Sequence, residues 1–254
     1  MLELLTIPCL SDNYAYLIHD PATGGTACVD VPEVAPIEAA LAERGWRLTD
    51  ILITHHHDDH IQGVDALRAA TGAQVTGAAA DAHRLPKLDR AVMAGGRFDL
   101  FGTEVQVIDV SGHTVGHIAY HLPQPGWAFT GDSLMAWGCG RLFEGTAPMM
   151  WDSLSRLAVL PPETVICSGH EYTLSNGRFA MTIEPENPAL ISRFAATEAA
   201  RAEGRSTVPS TLEIELATNP FLRAGNFQVK SSLGMEKATD AEVFGEIRGR
   251  KDRF

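Results

Sequence analysis

The run Ile51-Leu52-Ile53-Thr54-His55-His56-His57-Asp58-Asp59-His60 sets three apolar residues directly ahead of a stretch dense in imidazole and carboxylate. The apolar triplet reads as a short buried strand, and the polar residues as the segment that leaves its end. Alternate side chains of an extended chain share a face, so His55 and His57 can reach one point while His56 points elsewhere. Asp59 and His60 then lie at the turn, able to reach a second point nearby. The pattern is HxHxDH. Neutral imidazole and carboxylate oxygen are ligands for first-row divalent ions, which typically take three or four protein donors each. Packing gives no reason for such a run.

Working outward, three more potential ligands each follow a predicted strand and each sit beside a glycine that lets the backbone turn sharply. Gly112-His113-Thr114 follows a strand ending at Val110, Thr130-Gly131-Asp132 follows the strand over 127–130, and Ser168-Gly169-His170 follows the strand over 164–167. Four strand ends converging on one rim would make one site. His56, His117 and His121 read as non-ligands, His19 and His83 as surface or supporting residues, and Asp58 as exposed.

Further strands are expected over 2–7, 14–18, 26–31, 105–110 and 118–122, with helices over 33–45, 63–70 and 149–160. After about Tyr172 the texture turns helical, over 188–201, 209–217 and 238–247, with a loop expected over 225–234. This reads as a mixed α/β domain over 1–172 followed by a helical domain over 173–254. The tail holds Phe221, Leu222, Phe227, Leu233, Phe244 and Ile247, which call for a core.

The 254 residues hold 20 Lys+Arg against 32 Asp+Glu, a formal charge of −12. That balance speaks against nucleic acid or an anionic membrane as partner, since both recruit clustered Lys and Arg. A small anion remains compatible: Arg248, Arg250, Lys251 and Arg253 crowd the last seven positions beside Asp252 alone among acidic groups. Cys9, Cys28, Cys139 and Cys167 are scattered without a CxxC pair and read as reduced thiols. The N-terminal segment lacks the basic start and long apolar run of a secretory signal, and no stretch approaches a spanning helix. A cytoplasmic monomer is expected. No GxSxG motif is present, and Cys139 has no histidine beside it in sequence, so no Ser or Cys nucleophile is indicated.

The chain resembles the metallo-β-lactamase superfamily in Thr54–His60 together with His113, Asp132 and His170 in the expected order. More narrowly it resembles the glyoxalase II (hydroxyacylglutathione hydrolase) family. That likeness rests on Gly138-Cys139-Gly140-Arg141-Leu142-Phe143-Glu144-Gly145, Gly169-His170-Glu171-Tyr172-Thr173, Asn219-Pro220-Phe221-Leu222-Arg223 and Arg250-Lys251-Asp252-Arg253-Phe254, and so spans nearly the whole chain.

The resemblance implies an αββα sandwich of two mixed β-sheets with a C-terminal helical domain. It implies two divalent metal ions, first of all Zn2+, with Fe or Mn as alternatives. His55, His57 and His113 would hold one ion, Asp59, His60 and His170 the other, and Asp132 would bridge both. The implied reaction is hydrolysis of S-(2-hydroxyacyl)glutathione thioesters, notably S-D-lactoylglutathione, by a hydroxide bridging the metals, with Asp59 and Asp132 as catalytic carboxylates. Glutathione would be gripped by Arg141, Phe143, Tyr172, Arg248 and Lys251. Some relatives carry Lys where this chain has Arg141, and Tyr where it has Phe143, so a hydroxyl contact would be missing here. A persulfide dioxygenase with one iron would not need the complete second donor set. A lactonase or β-lactamase would not need the glutathione-grip positions.

Overall fold

A computed structural model describes residues 1–254. The N-terminal third builds a six-stranded mixed sheet in the order β1-β2-β3-β4-β5-β6. Strands β1 (Glu3–Cys9), β2 (Asn13–His19) and β3 (Gly25–Val29) form an antiparallel meander, with Glu3 opposite His19 and Tyr16 opposite Val29. From β3 the chain runs through helix α1 (Val34–Arg44) into the parallel strand β4 (Arg47–Leu52). It then continues through α2 (Asp58–Ile61) and α3 (Val64–Thr71) into β5 (Gln74–Ala78), and on to β6 (Arg90–Val92). Parallel neighbours require such crossovers, whose helices cover one face of the sheet, while Tyr16 packs on Phe129 from the other, and β2 and β3 are buried along their whole length. Ile51 and Ile53 are fully buried in one cluster with Leu17, Ile37, Val64 and Leu67. Truncating either isoleucine to alanine would cost about 2–5 kcal/mol.

A second meander follows: β7 (Arg97–Leu100), β8 (Thr103–Asp109), β9 (Ile118–Leu122) and β10 (Trp127–Gly131), all antiparallel. The hairpin β11 (Leu134–Met135) and β12 (Gly138–Cys139) comes next, then α4 (Ala147–Ala158) and β13 (Val165–Ser168). Helices α5 (Thr173–Ile183) and α6 (Pro188–Ala202), the short strand β14 (Ser210–Thr211), and helices α7 (Leu212–Thr218), α8 (Phe227–Leu233) and α9 (Asp240–Arg253) complete the chain. The second sheet runs β14-β13-β10-β9-β8-β7. No helix is long and apolar enough to cross a membrane.

By packing the chain divides into two compact units. One comprises Met1–Asp109 with Gly116–Gly131, the other Val110–Val115 with Asp132–Phe254. The sequence boundary at 172/173 follows the change from strands to helices. The compact division follows contacts, so the β11–β12 hairpin, α4 and β13 belong with the helical tail.

The tail grips that hairpin through a buried polar network. Asn219 donates from Nδ2 to the carbonyls of Met135 and Gly138, and Asn176 donates to that of Ala136. Glu215 accepts from the Trp137 amide, from Arg193 and from Ser210. Phe221, Phe244 and Ile247 are fully buried, the core that their presence in the tail called for.

Two local expectations are corrected. Residues 225–234 are not a plain loop: Asn226 caps α8 by accepting from the Gln228 amide, and Gly234 closes it in the left-handed region at φ +69. His19 is not a surface group either. It is buried, with Nδ1 at 2.9 Å from Thr26 Oγ1 and its ring stacked on Trp46.

Candidate metal centre

In the first unit β4 stops at Leu52, and Ile53, Thr54 and His55 continue the chain as buried residues. His57 is the N-cap of α2, so the turn expected for Asp59 and His60 is a single turn of helix. Asp58 is exposed, as expected. Asp30, one residue past β3, orients this segment. One of its carboxylate oxygens accepts from the Thr54 amide at 2.9 Å, and the other lies 2.8 Å from both Thr54 Oγ1 and His60 Nδ1. Thr54 Oγ1 in turn sits 3.0 Å from His55 Nδ1. With Asp30 as acceptor, the protons of His55 and His60 lie on Nδ1, which leaves Nε2 as the ligand nitrogen of each ring. Asp30 holds φ +57 to do this, a conformation that Asp tolerates better than most residues.

Asn13 fixes the carboxylate member, donating from Nδ2 at 3.0 Å both to the Asp59 carbonyl and to Asp59 Oδ2. His56 is held elsewhere, its Nδ1 at 3.0 Å from buried Asp81, which also accepts from Arg84 Nε. His117 is fully buried and stacks parallel on His55, with ring centroids 4.5 Å apart. Gly131, at φ +47, lies under this group, and a Cβ there would come within 2.7 Å of Thr54 Oγ1. Hence the glycine ahead of Asp132.

In the second unit His113, Asp132 and His170 are buried. Asp132 Oδ2 lies 3.5 Å from His113 Nε2 and 3.3 Å from His170 Nε2. The Arg141 carbonyl accepts from His113 Nδ1 at 2.8 Å, fixing the same tautomer as in His55 and His60. Gly140 permits this contact: a Cβ there would stand 2.1 Å from the Asp132 carbonyl oxygen and 2.7 Å from His113 Nδ1.

His55, His57, Asp59 and His60 of the first unit and His113, Asp132 and His170 of the second make up the donor sets that could hold a metal ion. Every residue expected to ligate appears in them, and His56, His117 and His121 appear in none. Imidazole nitrogens whose Nδ1 hydrogens are already engaged, together with carboxylate oxygens, are a donor set suited to a divalent ion.

The residues expected to grip substrate all lie in the second unit. Arg141 and Phe143 are exposed, with Phe143 set edge-on to the His113 ring at 5.3 Å. Tyr172 stacks flat on His170 at 4.6 Å. Lys251 is half-buried between the rings of Phe179 and Phe254, its Nζ 3.2 Å from the Ser175 carbonyl. Burial, and then the charges of Arg248 and Arg141, lower its pKa from 10.5 to about 8. Arg248 departs from expectation: it is 5% exposed and turned inward onto Cys139 and Asp252. Burial pushes the Cys139 thiol up to about 11, so it is no thiolate nucleophile at neutral pH.

The family model described as Metallo-beta-lactamase superfamily matches residues 16–170, and that described as Hydroxyacylglutathione hydrolase C-terminus matches residues 171–254. A hydroxyacylglutathione hydrolase of Cereibacter sphaeroides is 65% identical over 253 residues, covering 100% of this chain and 99% of the relative. The chain belongs to the hydroxyacylglutathione hydrolase family of the metallo-β-lactamase superfamily. The corresponding protein of Ruegeria pomeroyi is 61% identical over 100% of this chain and 99% of its own length. Among solved structures, ETHE1 from Myxococcus xanthus superposes with a TM-score of 0.67 at 27% identity, covering 98% of this chain and 90% of that one. TTHA1623, solved in a di-iron-bound form, superposes with a TM-score of 0.63 at 25% identity over 87% of this chain and all of its own. Family and donor set together make the chain a metal-dependent hydrolase with the αββα fold of two mixed sheets and a helical C-terminal region.

Sequence reading missed Asp30, Asn13 and Asp81. None lies in the HxHxDH run; each reaches it through the sheet or a following turn. The one available signal was Asp30 itself, a carboxylate near the end of the apolar strand expected over 26–31, close to the strand-end placement that marked His113 and Asp132.

Proposed function

We propose that this chain hydrolyses S-(2-hydroxyacyl)glutathione thioesters, notably S-D-lactoylglutathione, to glutathione and a 2-hydroxy acid, the second step of methylglyoxal detoxification. The observation that carries the reading is one chain joining the His/Asp donor sets to a C-terminal part of the hydroxyacylglutathione hydrolase type. His55, His57 and His113 would hold one ion, Asp59, His60 and His170 a second, and Asp132 would be shared. Such a pair supplies a water of lowered pKa and a Lewis acid for a carbonyl oxygen. Zn2+ suits the donors best, with Fe or Mn as alternatives. The di-iron form of TTHA1623 supports a count of two.

The chain's own residues do the rest. Asp59, steadied by Asn13, would accept a hydrogen bond from the attacking water. Arg141 and Lys251 attract the carboxylates of glutathione, and Tyr172 and Phe143 offer ring faces to its backbone. The leaving group is a thiolate whose parent thiol has a pKa near 8.5, so no strong general acid is needed. Residues 1–172 would carry the chemistry and residues 173–254 the substrate grip, in a cytoplasmic monomer.

The test is metal analysis of the purified protein beside a thiol-release assay on S-D-lactoylglutathione. About two ions per chain and one thiol per thioester consumed support the reading. Oxygen uptake with glutathione persulfide, without thioester hydrolysis, overturns it.

A further inference from the structure

His170 and Tyr172 flank a carboxylate that the proposed chemistry leaves unused. The Tyr172 ring stacks on that of His170 at 4.6 Å, while Glu171 between them reaches the segment over 203–209 that joins α6 to β14. Its Oε2 accepts from the Thr207 amide at 2.8 Å and its Oε1 from the Thr207 hydroxyl at 2.5 Å. Arg201, in the last turn of α6, brings Nη1 to 3.6 Å from Oε2. The Glu171 side chain is 6% exposed, so these partners stand where water would otherwise solvate the charge.

The backbone cannot supply this link. β13 pairs with β14 at Val165–Thr211 and Ile166–Ser210, and the next residue on the partner side, Pro209, has no amide hydrogen with which to carry the ladder toward His170. Two residues further on, the Glu171 carboxylate accepts the Thr207 amide as a strand carbonyl would, and takes the hydroxyl besides. We propose that Glu171 is a positioning residue: by tying the chain between His170 and Tyr172 to Thr207, it fixes the imidazole and the phenol ring as one stacked pair. This rests on reading His170 as a metal ligand and Tyr172 as a substrate contact. Without the tie both rings shift together, so metal and substrate binding suffer from one change.

The test compares wild type with Glu171→Ala, Glu171→Gln and Thr207→Val. It reads zinc retained on dialysis against a competing chelator, far-UV circular dichroism, the thermal midpoint, and KM with zinc in excess. Glu171→Ala should weaken zinc retention by about tenfold, the lower end for an outer partner of a metal ligand, because the tie acts through the backbone. Its KM for S-D-lactoylglutathione should rise by about two- to tenfold, the effect of one misplaced hydrogen bond. Glu171→Gln should bring both back toward wild type: its carbonyl oxygen still accepts from the Thr207 amide, and the hydroxyl turns to accept from the new NH2 group. Thr207→Val removes the hydroxyl alone and should weaken retention by a few-fold. A lowered thermal midpoint in Glu171→Ala, with wild-type zinc retention and wild-type KM, would overturn the proposal and leave Glu171 a stabilising group alone. If Glu171→Ala loses its circular dichroism signal, Thr207→Val decides by the same readouts. A wild type that binds zinc but releases no thiol would remove the hydrolase reading, and zinc retention would still decide the role of Glu171.

Discussion

The turn that carries His55 to His60 and the helix α9 that carries Arg248 and Lys251 place polar groups by opposite means. At the turn, one buried carboxylate, Asp30, engages a backbone amide, a hydroxyl and an imidazole within 2.8–2.9 Å, and the hydroxyl passes that order to a second imidazole. On α9 Lys251 leans on aromatic rings, between Phe179 and Phe254, while Arg248, over Phe221, is paired with Asp252. A metal ligand must be neutral and of one tautomer, so its other nitrogen needs a fixed acceptor. A cation meant for an anion must keep its charge unspent, and ring faces support it without neutralising it. Damage at the turn should therefore appear first as lost metal, and damage at Lys251 as weaker substrate binding.

The largest effect should come from the turn itself. His57→Ala removes a donor, so thiol release should fall to near background and metal content should drop in the same preparation. Full turnover with normal metal would break the comparison at its root. Next comes the orienting carboxylate. Asp30→Asn keeps the size and tolerates the left-handed backbone, but it replaces an acceptor oxygen by a donor amide facing either Thr54 or His60. Metal affinity should fall about 10- to 100-fold, measured by competition with a chelator. An unchanged affinity would mean that the ring orientations are set by packing alone.

On the helix the effect should be smaller and of another kind. Lys251→Ala should raise KM on the order of tenfold with kcat little changed, near the lower end for a charged hydrogen bond because the group is half-exposed. Its pH dependence sharpens the contrast. With a pKa lowered to about 8, Lys251 loses its charge as pH rises through that value, so kcat/KM for an anionic thioester should fall there. Lys251→Arg should abolish that fall. Stability moves the other way. Between about 8 and 10.5 the unfolded chain binds more protons at this lysine than the folded chain does, so its contribution to stability rises with pH. A kcat/KM profile equally steep in the arginine variant would place the titrating group elsewhere.

The same contrast explains what could be read from the sequence. The donors of the turn and of the other strand ends were legible, because ligand chemistry demands particular residue types at strand ends and period-two spacing puts His55 and His57 on one face. Their supports were not. Asn13 and Asp30 come from β2 and from the end of β3, brought in by sheet order that no local pattern announces. The buried core of the tail was foreseeable from Phe221, Phe244 and Ile247. The inward turn of Arg248 was not, since it depends on a carbonyl at Cys139, 109 residues away in sequence. Strands β5, β6 and β7 escaped because they are short and only partly apolar, and α5 because Asn176 and Gly177 are poor helix formers. Both are buried there by tertiary contacts: Asn176 donates to Ala136, and a Cβ on Gly177 would lie 2.5 Å from the Trp137 ring.

The smallest expected effect is at Phe143. Its ring is 63% exposed on one side and edge-on to His113 at 5.3 Å on the other. Phe143→Tyr leaves the edge contact intact and adds one hydroxyl. A normal hydrogen bond to substrate would contribute about 0.5–1.5 kcal/mol, or about two- to tenfold in KM, and competition from water at so exposed a ring holds the gain to the lower half of that range. KM should therefore fall by about two- to threefold at constant kcat and constant metal content. A fall in kcat at unchanged KM would instead mean that this ring works on His113, which would move Phe143 from the substrate side of the comparison to the metal side.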